Sequence, residues 1–177
     1  MDTPSLLALT GDHPYPLIRG GGLFLIFVGL GFTLGWLFPR RWVPLAIGGG
    51  IAGITASGLS ALLPSLGSPS LVHIGALAAA IVAEMGLIAL VVNRFRESGE
   101  RTLIGWILLV VGAHFVLMGL AHGPLIALLG VLATLNALAA LTVTRVPLRA
   151  FGLVDGLLKL GFGLWMLLEY PAFTYGF

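Results

Sequence analysis

An all-α, polytopic membrane fold with six transmembrane helices is what this sequence predicts, and three observations predict it. Apolar side chains make up 58% of the 177 residues and charged ones only 9%, where a soluble domain carries roughly a quarter charged. Six apolar runs are present, each about 20 residues long, the length a helix needs to cross a hydrocarbon core of about 30 Å. No alternating barrel pattern is visible, so each run must satisfy its own backbone groups, as a helix does. Residues 1–177 read as a single membrane-embedded domain.

The first span, 18–38, follows "MDTPSLLALTGDHPYPL". That segment lacks a basic stretch leading into an uninterrupted apolar core, so no cleavable signal peptide is expected and the span itself directs insertion. "FPRRWVP" ends it. The second span, 42–63, is rich in glycine, with Gly48, Gly49, Gly50, Gly53 and Gly58. Such a helix either packs closely on a neighbour or unwinds to expose carbonyls. Packing is expected, with Thr55, Ser57 and Ser60 bonding internally. "LPSLGSPS" leads to the third span, 70–92, and "NRFRESGERT" to the fourth, 102–122. "AHGP" introduces the fifth, 124–143, and "TRVPLR" the sixth, 149–169. Each break carries the glycine or proline that punctuates helices.

Charge orients the stack. Arg40 and Arg41 fall in the first loop, Arg94, Arg96 and Arg101 in the third, Arg145 and Arg149 in the fifth. Only Arg19 lies on the other side, so seven of the eight arginines share one face. The positive-inside rule makes that face cytoplasmic and puts both termini outside, as expected for a multi-pass protein of the cytoplasmic (inner) membrane. Trp36, Trp42 and Trp165, with Tyr170 and Tyr175, read as interfacial belt residues. A faint internal echo is also present: "VGLGFTL" (28–34) matches "VGAHFVL" (111–117), and "PLAIGGG" (44–50) matches "PLIALLG" (124–130). Three helices followed by three started from the opposite side would form a 3+3 inverted repeat, as in many transporters.

Composition also excludes. Cysteine is absent, which removes disulfides, thiolate nucleophiles and iron–sulfur ligation. The net charge of +2 is scattered over short loops, with no basic patch for nucleic acid. Histidines and carboxylates stand singly on separate spans, without the pairs that zinc motifs show. No motif specifies a cofactor. The expected partners are the lipid bilayer and a small solute or ion, and glycine-rich faces are compatible with a homo-oligomer.

The informative residues are the polar ones inside the spans. "FGLVDGLLKLGFGLWMLLEY" (151–170) holds Asp155 and Lys159 one helical turn apart. At about 100° per residue, Lys159, Gly152, Gly156 and Gly163 fall within about 100° of Asp155, while Leu157, Leu160 and Leu164 take the far side. That glycine face points into the bundle. On the third span His73, Ala80, Glu84 and Val91 form a similar stripe. His114 stands mid-span on the fourth and Asn136 on the fifth. Glu84, His114, Asn136, Asp155 and Lys159 all lie about 9–18 Å from the arginine-bearing ends, so four helices feed one layer.

A charged side chain at a helix centre costs about 2.5–3.5 kcal/mol to insert. Intramembrane ionisable residues are therefore functional by default. A carboxyl beside an imidazole and an Asp–Lys pair has the parts of a proton relay. Glu84 is expected as the protonatable carboxyl, His114 as relay or ligand, Asp155–Lys159 as the coupled pair, and Asn136 and His73 as supporting groups. His73, His122 and Glu169 are expected to reach water near the outer interface, and Asn136 to bond a neighbouring helix. The resulting expectation is a proton-coupled transporter or channel with a mid-membrane polar site, and not an enzyme. The alternatives are a pigment built on Lys159 and a non-transporting protein with a structural ion pair.

Two fragments resemble known families. "VDGLLKLGFGLWML" (154–167) is similar to the last helix of microbial rhodopsins, in which an Asp, three residues and the retinal-binding Lys precede a Phe-Gly pair. Asp155, Lys159, Phe162 and Gly163 match that pattern. The resemblance implies Lys159 as Schiff base and Asp155 as counterion. The chain departs in having six spans, no Arg-Tyr-x-x-Asp-Trp segment and no aromatics in the fifth span. "TASG" (55–58) resembles the Gly-x-Ser-Gly motif of rhomboid intramembrane proteases, with Thr55 in place of the first glycine. That resemblance implies a base from His73 or His114 within hydrogen-bond reach of Ser57.

Overall fold

A computed structural model describes residues 13–169, and Tyr170 and Tyr175 lie outside them. The described residues form six helices: α1 Ile18–Leu37, α2 Trp42–Leu59, α3 Leu71–Phe95, α4 Glu100–His122, α5 Pro124–Thr142 and α6 Leu148–Leu168. Short 3-10 turns at Pro39–Arg41 and Ser60–Leu62 flank α2. All six are long and apolar enough to cross a membrane.

Local chemistry sets the boundaries. Ser70 and His73 form a capping box that starts α3, satisfying amides that have no partner within the helix. Gly123 adopts φ +99° and is the single residue between α4 and α5, a conformation that disfavours any residue with a Cβ. Pro124 then opens α5, where a missing amide proton costs nothing. α3 runs to Phe95, about a turn beyond the apolar run that announces it, because Asn93 and Arg94 do not stop a helix.

The odd-numbered loops meet at one end. Arg101 donates to the carbonyls of Ala140 at 2.6 Å and Val143 at 3.1 Å, and also to Val146, tying the start of α4 to the end of α5. Arg149 donates to the Leu37 carbonyl at 3.3 Å, tying α6 to the end of α1. At the opposite end Arg19 bonds the Pro64 carbonyl, and the His13 amide donates to Leu66 at 2.8 Å.

Glycine dictates the tightest seams. A Cβ on Gly29 would meet the Leu160 amide nitrogen at 2.6 Å, and one on Gly163 the Gly22 carbonyl at 2.8 Å. α1 and α6 therefore pack backbone to backbone. α2 also packs on α1, and of its glycines Gly49 and Gly53 meet that helix, whereas Gly48, Gly50 and Gly58 face open space. The packing expected of that glycine-rich helix holds for two of its glycines only, and the helix stays wound throughout. Trp36 departs from the belt assignment: it is buried against Gly152 in the α1–α6 seam.

The helices pair in a regular pattern. α1 packs on α2 and α4 on α5, while α3 packs on α4 and α6 on α1. α5 also touches α6, whereas α2 and α3 make almost no contact. Leu25, Phe115, Ile126, Leu129 and Met166 form the buried centre.

Candidate functional site

α6 carries Asp155 and Lys159 on its glycine face, as the 100° arithmetic requires. Both side chains are 1% exposed and they form an ion pair one turn apart. Lys159 Nζ also lies 5.3 Å from the ring centre of Phe32 on α1 and 5.6 Å from that of Phe115 on α4. Aromatic faces at this range attract a cation. The ammonium is thus enclosed by its carboxylate and two rings. Among the described residues neither Asp155 Oδ1 nor the Thr33 hydroxyl on α1, which lies over Gly156, has a hydrogen-bond partner.

A second pair joins two helices. Glu84 Oε1 on α3 stands 3.4 Å from His114 Nδ1 on α4. The same nitrogen is 2.7 Å from the Val111 carbonyl. A carbonyl only accepts, so Nδ1 holds a proton and donates it to Val111, while the Glu84 carboxylate stands beside it at ion-pair distance. In the neutral imidazole, Nε2 is then the basic atom. The His114 ring packs on Phe115, 4.2 Å between centres, so Phe115 touches both pairs.

The two pairs differ in access. Glu84 and His114 line a cavity of about 290 Å³ that Lys159 and Asp155 do not border. Its walls are largely apolar, with Phe24 of α1, Ile54 of α2, Ile81 of α3 and Ile126 of α5. A second cavity of about 430 Å³ lies at the Arg19 end and is lined by Ser60, Ser65 and Pro69. Ser57, Leu77 and His122 border both.

His122 is the residue that sequence reasoning missed. Placed there in water near the outer interface, it is in fact buried at 6% exposure. Its ring occupies the space over Gly21, where a Cβ would come within 3.0 Å of Nε2. The only signal was the glycine triplet at 20–22, and its distance in sequence from α4 hides the link.

The remaining expected residues lie apart. Asn136 donates to the Phe151 carbonyl at 2.9 Å and clamps α5 to α6. His73 is engaged with Ser70 at the start of α3, 6.3 Å between ring centres from Tyr15. Glu169 ends α6 at the surface. Thr55 donates to its own helix at Ile51, 2.9 Å away. Ser57 faces the cavities, and among the described residues no hydrogen bond joins it to a histidine. Among them, too, no three His, Asp or Glu side chains cluster as metal ligands.

No curated protein and no solved structure matches this chain. A family model does match, over residues 11–173, and its description is a family of unknown function, DUF6609. Since the match spans nearly the whole sequence, all six helices and both pairs included, the chain belongs to the DUF6609 family.

Proposed function

We propose that this chain is an integral protein of the cytoplasmic membrane, one six-helix unit with its termini outside, that moves a small solute or ion coupled to a proton. Glu84 and His114 are the exchanging groups. The observation that carries this reading is their meeting across α3 and α4, 3.4 Å apart, on the wall of a 290 Å³ cavity. A carboxyl and an imidazole in contact, reachable from a space that holds water or solute, can pass a proton between them. Asp155–Lys159 has a different part: sealed and self-neutralised, it sets the field beside Phe115 without changing partners.

Helix pairing supports the inverted repeat. Exchanging α1–α3 with α4–α6 maps the α1–α2 pair onto α4–α5 and the α3–α4 pair onto α6–α1. The cavity lies on the side where this symmetry breaks, between α2 and α3.

The test is proton movement in dye-loaded liposomes holding the purified protein, under an imposed pH gradient and with small cations, amines and anions added in turn. Solute-dependent proton flux is expected, reduced at least tenfold by Glu84→Gln with expression intact. Flux in that variant equal to the unsubstituted protein overturns the reading, and so does loss of expression, which would make the pair structural. Added retinal is expected to leave the sample colourless. A visible band bleached by hydroxylamine would instead assign Lys159 to a pigment.

A further inference from the structure

The 290 Å³ cavity has an unusual wall. Ile54 on α2 and Ile81 on α3 border it, yet they are 68% and 46% exposed on the outside of the bundle. A side chain that does both stands at an opening. α2 and α3 make almost no contact, whereas α2 packs on α1 and α3 on α4. The opening therefore lies between α2 and α3. Counting from Trp42 and from Phe95, it sits about 18–21 Å from the arginine-bearing end. In a hydrocarbon layer of about 30 Å, that level faces lipid tails and not water.

The chemistry behind the opening is lopsided. α1, α2 and α5 contribute no titratable group to the wall; α3 contributes Glu84, and α4 contributes His114 and His122. Behind Phe115, Lys159 is paired with Asp155, and its charge still acts on Glu84 and His114. His114 commits Nδ1 as a donor to Val111, so the neutral imidazole presents an acceptor, and so does the Glu84 carboxyl, which gains a full negative charge on losing its proton. An occupant that completes this site brings N–H donors and one positive charge to Glu84. It brings an apolar body for Phe24, Leu77, Met118 and Ile126. A cation here also meets the rings of Phe24 and Phe115. The volume, at the low end for small-molecule sites, limits that body to about one ring.

Resting on the reading of Glu84–His114 as a cavity-lining exchange pair, we propose that the cavity takes a lipophilic monocation, a protonated amine with a single-ring body, and takes it from the bilayer through the gap between α2 and α3. An amine of this kind partitions into the interface, with its ring among the tails and its ammonium near the headgroups. It can then reach Glu84 sideways.

The test uses the full chain in lipid nanodiscs, with 2-phenylethylammonium as probe and phenylacetate as its anionic counterpart. Titration calorimetry is expected to show amine binding at least a hundredfold tighter than carboxylate binding, weakened at least tenfold by Glu84→Gln. Phenylacetate binding as tightly as the amine overturns the ligand class. The route is read separately, because the chain has no cysteine. Ile54→Cys/Ile81→Cys is joined by a reducible thiol crosslinker, and amine association is compared in the linked and reduced forms of that same variant. Linking is expected to slow association at least tenfold and reduction to restore it. Equal rates in the two forms overturn the lateral route and point to entry past His122. Both measurements need no gradient, so they separate from the flux assay. Amine binding without proton flux defeats the transport reading alone, and proton flux without amine binding defeats this inference alone.

Discussion

The two acid–base pairs are built from the same kinds of group and housed in opposite ways. Asp155 and Lys159 belong to one helix, are 1% exposed, and sit against the rings of Phe32 and Phe115. Glu84 and His114 belong to different helices, are 22% and 8% exposed, and border open space. A sealed pair within one helix has no alternative partner, so it persists. A pair across two helices with a cavity beside it can be separated, wetted or entered. The contrast teaches that a polar residue inside an apolar bundle is informative only together with its access.

Substitutions break or sharpen this contrast in a clear order. The largest effect is expected from Lys159→Met, which strands the Asp155 carboxylate: about 3–5 kcal/mol of lost stability, read by unfolding in detergent. The double variant Asp155→Asn/Lys159→Met removes both charges and is expected to recover most of that loss; no recovery would show that the pair does more than neutralise itself. Next comes Gly29→Val, which drives a side chain into the α6 backbone and is expected to cost about 1–3 kcal/mol. Gly48→Ala, with nothing within 4 Å of the added carbon, is its control and is expected to stay within about 0.5 kcal/mol. Below these losses, and just above the Gly48 control, comes Asn136→Ala, which loses the bond to Phe151 and is expected to cost about 0.6 kcal/mol, the average for such interhelical bonds. Thermal unfolding of Lys159→Met, Gly29→Val and Asn136→Ala side by side checks the ranking, and an Asn136 effect above that of Gly29 would reverse it.

Much of the frame was legible in the sequence, for physical reasons. Apolar runs broken by proline and glycine mark the helices, and the helical repeat alone places Asp155, Lys159 and Gly163 on one buried face. The stripe through Ala80, Glu84 and Val91 is likewise the buried side of α3. What stayed hidden depends on how one helix registers against another. That Glu84 meets His114, but reaches Lys159 only across Phe115, is set by the α3–α4 contact and no spacing along the chain encodes it. The same holds for Trp36, whose burial needs Gly152, and for His122, whose ring needs Gly21. Asn136 was readable because a lone amide among leucines has few other choices.

One corner of the fold has a mechanical consequence. α4 and α5 are joined at one end by Gly123 alone and lashed at the other by Arg101, which grips three carbonyls at the end of α5 and just beyond it. This hairpin is closed at both tips, and the His114 imidazole rides on it. Glu84 rides on α3, which reaches its neighbours through longer connections at residues 63–70 and 96–99. Were the proposed exchange to involve movement, the short, doubly tied hairpin would make the imidazole the anvil and the carboxylate the part expected to travel.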